Sequence, residues 1–294
     1  MYAFFACSLS IGKILVNFAT PTLLTGIRMT IAGIILLTYQ YFSPHQEFNF
    51  KKEHLIDCAK LVFFGIYVTY ILRFWGLRGL PSYKAIFLHN FAPFATAFYS
   101  YFLLQEKITK KQVLGLCIGF LGMIPILLTT TPIEEMTSGI SFISWQELAI
   151  IVSVFSSAYG WIIVRKMIYK YNYSPTMING LSMTAGGILA LGTTFFIQNG
   201  FTITNPLPFV GWLTIVIIIS NILCHNIYGH LLKTYTATFI SFAGFICPLF
   251  AAFNGWAFLG EKITWHYFLS TLIVFIGLYI FYQDELKHHL KKQS

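Results

Sequence analysis

Ten blocks of about 20 residues, each almost wholly apolar and set apart by clusters of Pro, Gly and charge, limit what this chain can become. They lie near residues 2–19, 22–42, 58–77, 83–104 and 112–130, then 146–168, 175–197, 208–230, 236–258 and 266–283. Hydrocarbon offers no partner to backbone N–H and C=O groups, so a run of this length is read as a helix that bonds within itself. Strands of a membrane barrel are shorter, about ten residues of alternating polarity. The expected fold is therefore an all-α polytopic membrane protein with ten transmembrane helices. Composition agrees: 56% of the 294 residues are apolar and 10% charged, against about a quarter charged in a soluble domain, and the mean hydropathy is +0.70.

The net charge of +9 is no nucleic-acid signature, because the 19 Lys and Arg sit mostly in short gaps between apolar runs, where they set orientation. With the N-terminus inside, Lys51, Lys52, Lys60, Lys107, Lys110, Lys111, Arg165, Lys166, Lys170, Lys233, Lys287, Lys291 and Lys292 all fall on the cytoplasmic side. Only Arg78, Lys84 and Lys262 fall outside, while Lys13, Arg28 and Arg73 lie within spans. Both termini are expected to be cytoplasmic in an inner or plasma membrane. Met1 to Phe5 has no positive n-region, so the first apolar run is retained as a helix rather than cleaved. The five Cys are scattered without a CxxC pair and read as reduced packing residues.

A shift of 155 residues lays Pro93 to Thr109 onto Pro248 to Thr264. Eight of these 17 positions are identical, including the Pro and the tetrad Glu-Lys-Ile-Thr that begins at Glu106 and at Glu261. Chance in an apolar background yields matching Leu and Phe, but not a register-matched Pro with a charged tetrad. With five spans in each half, the halves are related by inversion across the membrane, the plan of alternating-access carriers with a site near the midplane. Pro93 and Pro248, each expected to remove a backbone bond mid-helix, and Glu106 and Glu261 at span ends are the structural and hinge candidates.

These segments resemble the ten-helix, EamA-type branch of the drug/metabolite transporter superfamily. The second copy, Gly260-Glu261-Lys262-Ile263-Thr264, matches that family's motif, while the first has Gln105 in place of Gly. The stretches Gly76 to Ser82 and His230 to Ala237 resemble its connector between the third and fourth helices. Span one begins almost at Met1, earlier than in the family, as though its first turn were absent. The resemblance implies EamA-like five-helix repeats over 1–131 and 140–284, followed by a basic cytoplasmic tail over 285–294. It also implies movement of small metabolites, amino acids and related compounds most often, with exchange of S-adenosylmethionine for its demethylated product in some members.

A charge at the centre of a span costs about 2.5–3.5 kcal/mol on insertion scales. Lys13, Arg28 and Arg73 carry that cost with no acidic residue near the midplane to offset it. One reading puts Lys13 and Arg28 in the cavity as binders of a carboxylate or phosphate; the other lets these long side chains snorkel to the surface. Arg73 is the weaker third candidate. With no buried carboxylate, His89 and His225 are the remaining proton carriers, set against plainer roles as hydrogen-bonding neighbours of Asn90 and of Asn221 and Asn226. Exchange or facilitated transport is thus more economical than proton coupling. Aromatics fall where the family places its cavity: Phe74, Trp75, Phe87, Phe91, Phe94, Tyr159, Trp161, Phe242 and Phe245. Each alone reads as packing, but with Arg28 the group suits a cargo that has a planar or apolar part and an anionic group.

The expected substrate-binding set is Lys13, Arg28, Trp75, His89, Asn90, Tyr159, Trp161 and His225. No catalytic residue, metal or cofactor is called for, since HExxH, HxxxH repeats, GxSxG and an acidic pair at membrane depth are all absent from the sequence. A receptor or scaffold has no need of two opposed halves, and a channel differs by lacking saturable exchange. The expected function is a secondary transporter of a small zwitterionic or anionic metabolite, an amino acid or a related compound. The alternative is an exchanger of S-adenosylmethionine and S-adenosylhomocysteine or another nucleoside-like metabolite. The expected partners are the metabolite and the lipid bilayer, with no nucleic acid.

Overall fold

The computed structural model describes residues 2–42, 50–104, 109–128, 139–140, 143–198, 201–235, 237, 240, 244, 247–260 and 263–293. Ten helical stretches follow one another. The first five are α1 (Tyr2–Leu15), α2 (Pro21–Phe42), α3 (Lys52–Gly79), α4 (82–104) and α5 (Lys110–Leu127). The second five are α6 (Trp145–Tyr169), α7 (Pro175–Gln198), α8 (Pro206–Leu231), α9 (Cys247–Leu259) and α10 (Trp265–Gln293). Among these, α2, α3, α6, α8 and 265–283 of α10 are each long and apolar enough to cross a bilayer by themselves. A two-residue antiparallel pair, Gly139–Ile140 with Ile143–Ser144, leads into α6, which Ser144 and Glu147 start with a reciprocal capping box. Glu106 and Glu261 lie outside the described residues, as do Phe242 and Phe245.

The two halves pack by equivalent pairs. Helix α2 runs along α7 and α5 along α10, while α3 meets α6 as α8 meets α1. The α2–α7 crossing shows why. A Cβ on Gly33 would collide with Thr184, and one on Gly187 with Thr30; Gly26 faces Leu191 as Gly180 faces Leu37. These positions form a second repeat, Gly26 to Leu37 over Gly180 to Leu191, that the family-motif alignment does not reach. Small residues let the backbones approach, which is how helices gain contact in a bilayer where lipid already removes the hydrophobic drive. Outside, Ile34, Phe102, Phe196, Phe258 and Tyr279 stay exposed, an apolar exterior suited to lipid.

Helices α3, α8 and α4 are irregular within the described residues. Helix α3 carries a π-helical run at Leu61–Val68 and α8 one at Ile217–Cys224, within one residue of the same place in each half. Helix α4 is α-helical over Ser82–Leu88, tightens to a 3₁₀ turn at His89–Phe91 and resumes at Ala92–Leu104. Pro93 follows that turn inside α4, as the second residue of the resumed α-helical run.

The end of the bundle opposite the N-terminus is tied shut. Lys13 Nζ donates to the carbonyls of Leu77 and Leu80, closing the C-terminus of α3. Arg78 donates to the Ala19 carbonyl at 3.1 Å, and Ala19 bridges to Ile203. Lys84, expected on an outer loop, is instead 1% exposed within α4 and pairs with Glu147 of α6 at 2.8 Å.

Replacing Gly33 or Gly187 by Leu is expected to lower the melting temperature of the detergent-purified protein by several degrees, or to abolish monodisperse yield in fluorescence-detected size exclusion. Gly192→Leu, on the same helix but with nothing within 4 Å of its Cβ position, is expected to leave both readings unchanged.

Candidate functional site

One cavity of about 1040 Å³, counting its open mouth, lies between the halves. Tyr2, Phe5 and Ser8 of α1, Arg28 of α2, and Tyr70, Arg73 and Phe74 of α3 line it from the first half, together with His89, Asn90 and Pro93 where α4 changes its winding. From the second half come Ser157 and Trp161 of α6, and Ser220, His225 and Tyr228 of α8. The 3₁₀ turn of α4 and the π-helical run of α8 thus reach the cavity, the first through His89 and Asn90 and the second through Ser220. That is expected in a bilayer, where a departure from α-helical bonding is tolerated only against protein or water.

Arg28 is 3% exposed and held on every side. Its Nε donates to Asn221 Oδ1 at 2.7 Å and its Nη2 to Ser220 Oγ at 2.8 Å, both acceptors belonging to the π-helical run of α8. The guanidinium also lies over the rings of Tyr70 and Phe74, 5.3 and 5.7 Å from their centroids. Hydrogen bonds and ring faces thus take the place of a carboxylate for this buried cation. Arg73 approaches Tyr70 as well, 4.9 Å from the ring centroid, and its buried Nε has no hydrogen-bond partner among the described residues.

His225 sits between the cations and an aromatic wall. Its Nδ1 is 2.7 Å from the Ser220 carbonyl, which can only accept, so Nδ1 carries the proton. Its Nε2 is 2.7 Å from the Tyr70 hydroxyl, and this seat suits a neutral imidazole that accepts there. Beyond it, Trp161 stacks on Tyr228 with centroids 4.0 Å apart, and the Phe5 ring meets His225 edge-on at 5.6 Å. Both cations come from the first half; the stacked pair comes from the second.

Of the expected set, the fold brings Arg28, His89, Asn90, Trp161 and His225 to one cavity, with Pro93 beside them. Three residues are placed elsewhere. Lys13 caps α3, because its ammonium reaches carbonyls at that helix end. Trp75 is 41% exposed, since a position two residues beyond Arg73 turns to the outer face of α3. Tyr159 packs against Phe64 and Tyr99, two positions before Trp161 on α6. The sequence reading missed Tyr70, Ser220 and Tyr228. A 155-residue offset relates Tyr70 to its own partner His225, so the repeat held a signal for that pair.

Ten membrane helices in two packed halves, with a polar and aromatic cavity between them, define an integral membrane carrier. The EamA-like transporter family matches residues 1–128 and 144–283, and the chain belongs to that family. It is 32% identical over 283 residues to the S-adenosylmethionine/S-adenosylhomocysteine transporter of Chlamydia muridarum, covering 95% of this chain and 88% of that protein. It is 31% identical over 287 residues to the transporter of the same name from Chlamydia trachomatis serovar D, covering 95% and 86%. A protein of known crystal structure superposes with a TM-score of 0.65 at 14% identity, over 95% of this chain and 93% of the other, which supports the fold alone.

Trp161→Ala is expected to lower the rate of substrate uptake into proteoliposomes about tenfold, as loss of a stacking platform does. Trp75→Ala, on the lipid-facing side, is expected to stay within about twofold of the parent rate.

Proposed function

We propose that this carrier exchanges S-adenosylmethionine for S-adenosylhomocysteine by alternating access. What carries the reading is the near full-length similarity to two chlamydial proteins of that name. The cavity supports it by chemistry. An exchanger must recognise what its two cargoes share, and these two share an α-amino acid end and an adenosine. They differ at sulfur, positive in one and neutral in the other. A cavity with two guanidiniums and no carboxylate among its described lining residues offers the sulfonium no counter-ion, while an anionic group and a planar base each find a complement. An amino acid alone uses the cationic part and leaves the Trp161–Tyr228 wall without a role.

Exchange is favoured over proton coupling by the same lining. No carboxylate stands in it among the described residues, and both nitrogens of His225 are engaged within the protein. The bias of Lys and Arg toward alternate loops supports cytoplasmic termini and a basic cytoplasmic tail over 285–294. A cavity lined from both halves supports movement of the repeats over 1–131 and 140–284 against each other around it.

Counterflow tests this directly. Liposomes holding the purified protein and preloaded with unlabelled S-adenosylhomocysteine are expected to accumulate labelled S-adenosylmethionine, and the reverse loading to accumulate labelled S-adenosylhomocysteine. Accumulation driven equally well by preloaded amino acids, with no response to either adenosyl compound, contradicts the proposal. Changing the pH gradient at fixed loading is expected to leave the plateau unchanged.

A further inference from the structure

We propose that Arg73, not Arg28, is the group that anchors the carboxylate of the cargo; this rests on the reading of the cargo given above. The two guanidiniums share Tyr70 and the same cavity, yet their donors are in different states. Arg28 has its Nε and one Nη committed to Asn221 and Ser220, at 2.7 and 2.8 Å. Those bonds cross from the first half to the second, so Arg28 works as a tie between α2 and α8. Releasing it to grip a substrate would leave the buried amide oxygen of Asn221 unpaired, a loss of the kind that costs more than an ordinary hydrogen bond gains.

Arg73 makes its side-chain hydrogen bond to Tyr70, a neighbour on its own helix rather than a group of the second half. Its Nε is buried without a hydrogen-bond partner among the described residues, while the guanidinium rests over Tyr70, 4.9 Å from the centroid. A buried donor left unpaired is a cost that native proteins rarely carry without a use. Two described carboxylates of the helices around it are engaged elsewhere: Glu147 of α6 pairs with Lys84 and Asp57 of α3 with Lys166. Arg73 lines the cavity beside His89 and Asn90, at the turn where α4 changes its winding. An arriving carboxylate can take the Nε–H and an adjacent Nη–H together in the side-on fork that guanidinium offers. Anchored there, the cargo extends past Tyr70 and His225 toward the Trp161–Tyr228 stack, so its charged end meets one half and its base the other. A carrier whose cargo touches both halves couples occupancy to their relative position.

The test compares competitors with and without the carboxylate. Uptake of labelled S-adenosylhomocysteine into proteoliposomes is measured against unlabelled S-adenosylhomocysteine and against its decarboxylated analogue. In the parent protein, removing the carboxylate is expected to weaken competition about 10–100-fold, the range of a charged hydrogen bond. In Arg73→Gln that ratio is expected to fall to near one, because the intact compound weakens while the analogue does not. In Arg28→Gln both competitors are expected to weaken together with the ratio preserved.

A preserved ratio in Arg73→Gln, or a collapsed ratio in Arg28→Gln, overturns the assignment. If Arg73→Gln fails to give a monodisperse protein, Arg73→Lys keeps the charge and removes the fork. Its ratio is then expected to drop at least threefold, and an unchanged ratio overturns the proposal. If the parent protein ignores both adenosyl compounds, it is the reading of the cargo that fails. The anchor is then tested by the same ratio between whichever amino acid competes and its amide.

Discussion

The structure depends on how a permanently charged side chain is kept inside a bilayer. Arg28 is buried with no carboxylate beside it among the described residues, and it is stabilised by Ser220, Asn221 and the faces of Tyr70 and Phe74. Each of these groups serves because the helices supplying them are irregular or close-packed. The π-helical run of α8 presents Ser220 and Asn221 together, and the glycine-lined crossing of α2 with α7 fixes the height of Arg28. In hydrocarbon such irregularity is tolerated where protein or water satisfies the freed backbone, and at Ser220 of α8 and at His89 and Asn90 of α4 it meets the cavity.

The two halves repeat in fold but not in chemistry. The segments Gly26 to Leu37 and Gly180 to Leu191 share the residues that let their helices approach, yet Ser182 stands where the first copy has Arg28. The cations of the cavity come from the first half and the Trp161–Tyr228 stack from the second. Duplication supplied two matched halves, and differences at a few inward positions gave the cavity between them a polarity. A cargo with a charged end and a planar end fits a site of this kind, whereas a symmetric site offers no such orientation.

Much of the fold was legible in the sequence because hydrophobicity and length are one-dimensional. The ten spans and the duplication follow from counting apolar residues and matching one half to the other, whereas Arg28 could equally have snorkelled to the surface. The direction a side chain faces was harder to read. Lys13 and Arg28 look alike as lone cations in apolar runs, and only the fold shows one reaching the carbonyls at the end of α3 and the other held by α8. Trp75 and Trp161 look alike as aromatic residues, and helical phase alone turns the first outward. The Lys84–Glu147 pair was hidden because each residue stands near a span boundary, where charge ordinarily meets water. The π-helical runs leave no mark in composition, and they reset the phase of everything that follows them.

The central claim is that the cavity recognises the parts that S-adenosylmethionine and S-adenosylhomocysteine have in common, held jointly by the two halves. Thermal unfolding of the detergent-purified protein with graded ligand tests it most directly, because a ligand that binds only the folded state raises the transition with its concentration. Both adenosyl compounds are expected to raise the transition over similar concentration ranges, and adenosine or methionine alone only at much higher ones. Stabilisation by methionine equal to that by either adenosyl compound would contradict the claim, since the aromatic half of the cavity would then contribute nothing to binding.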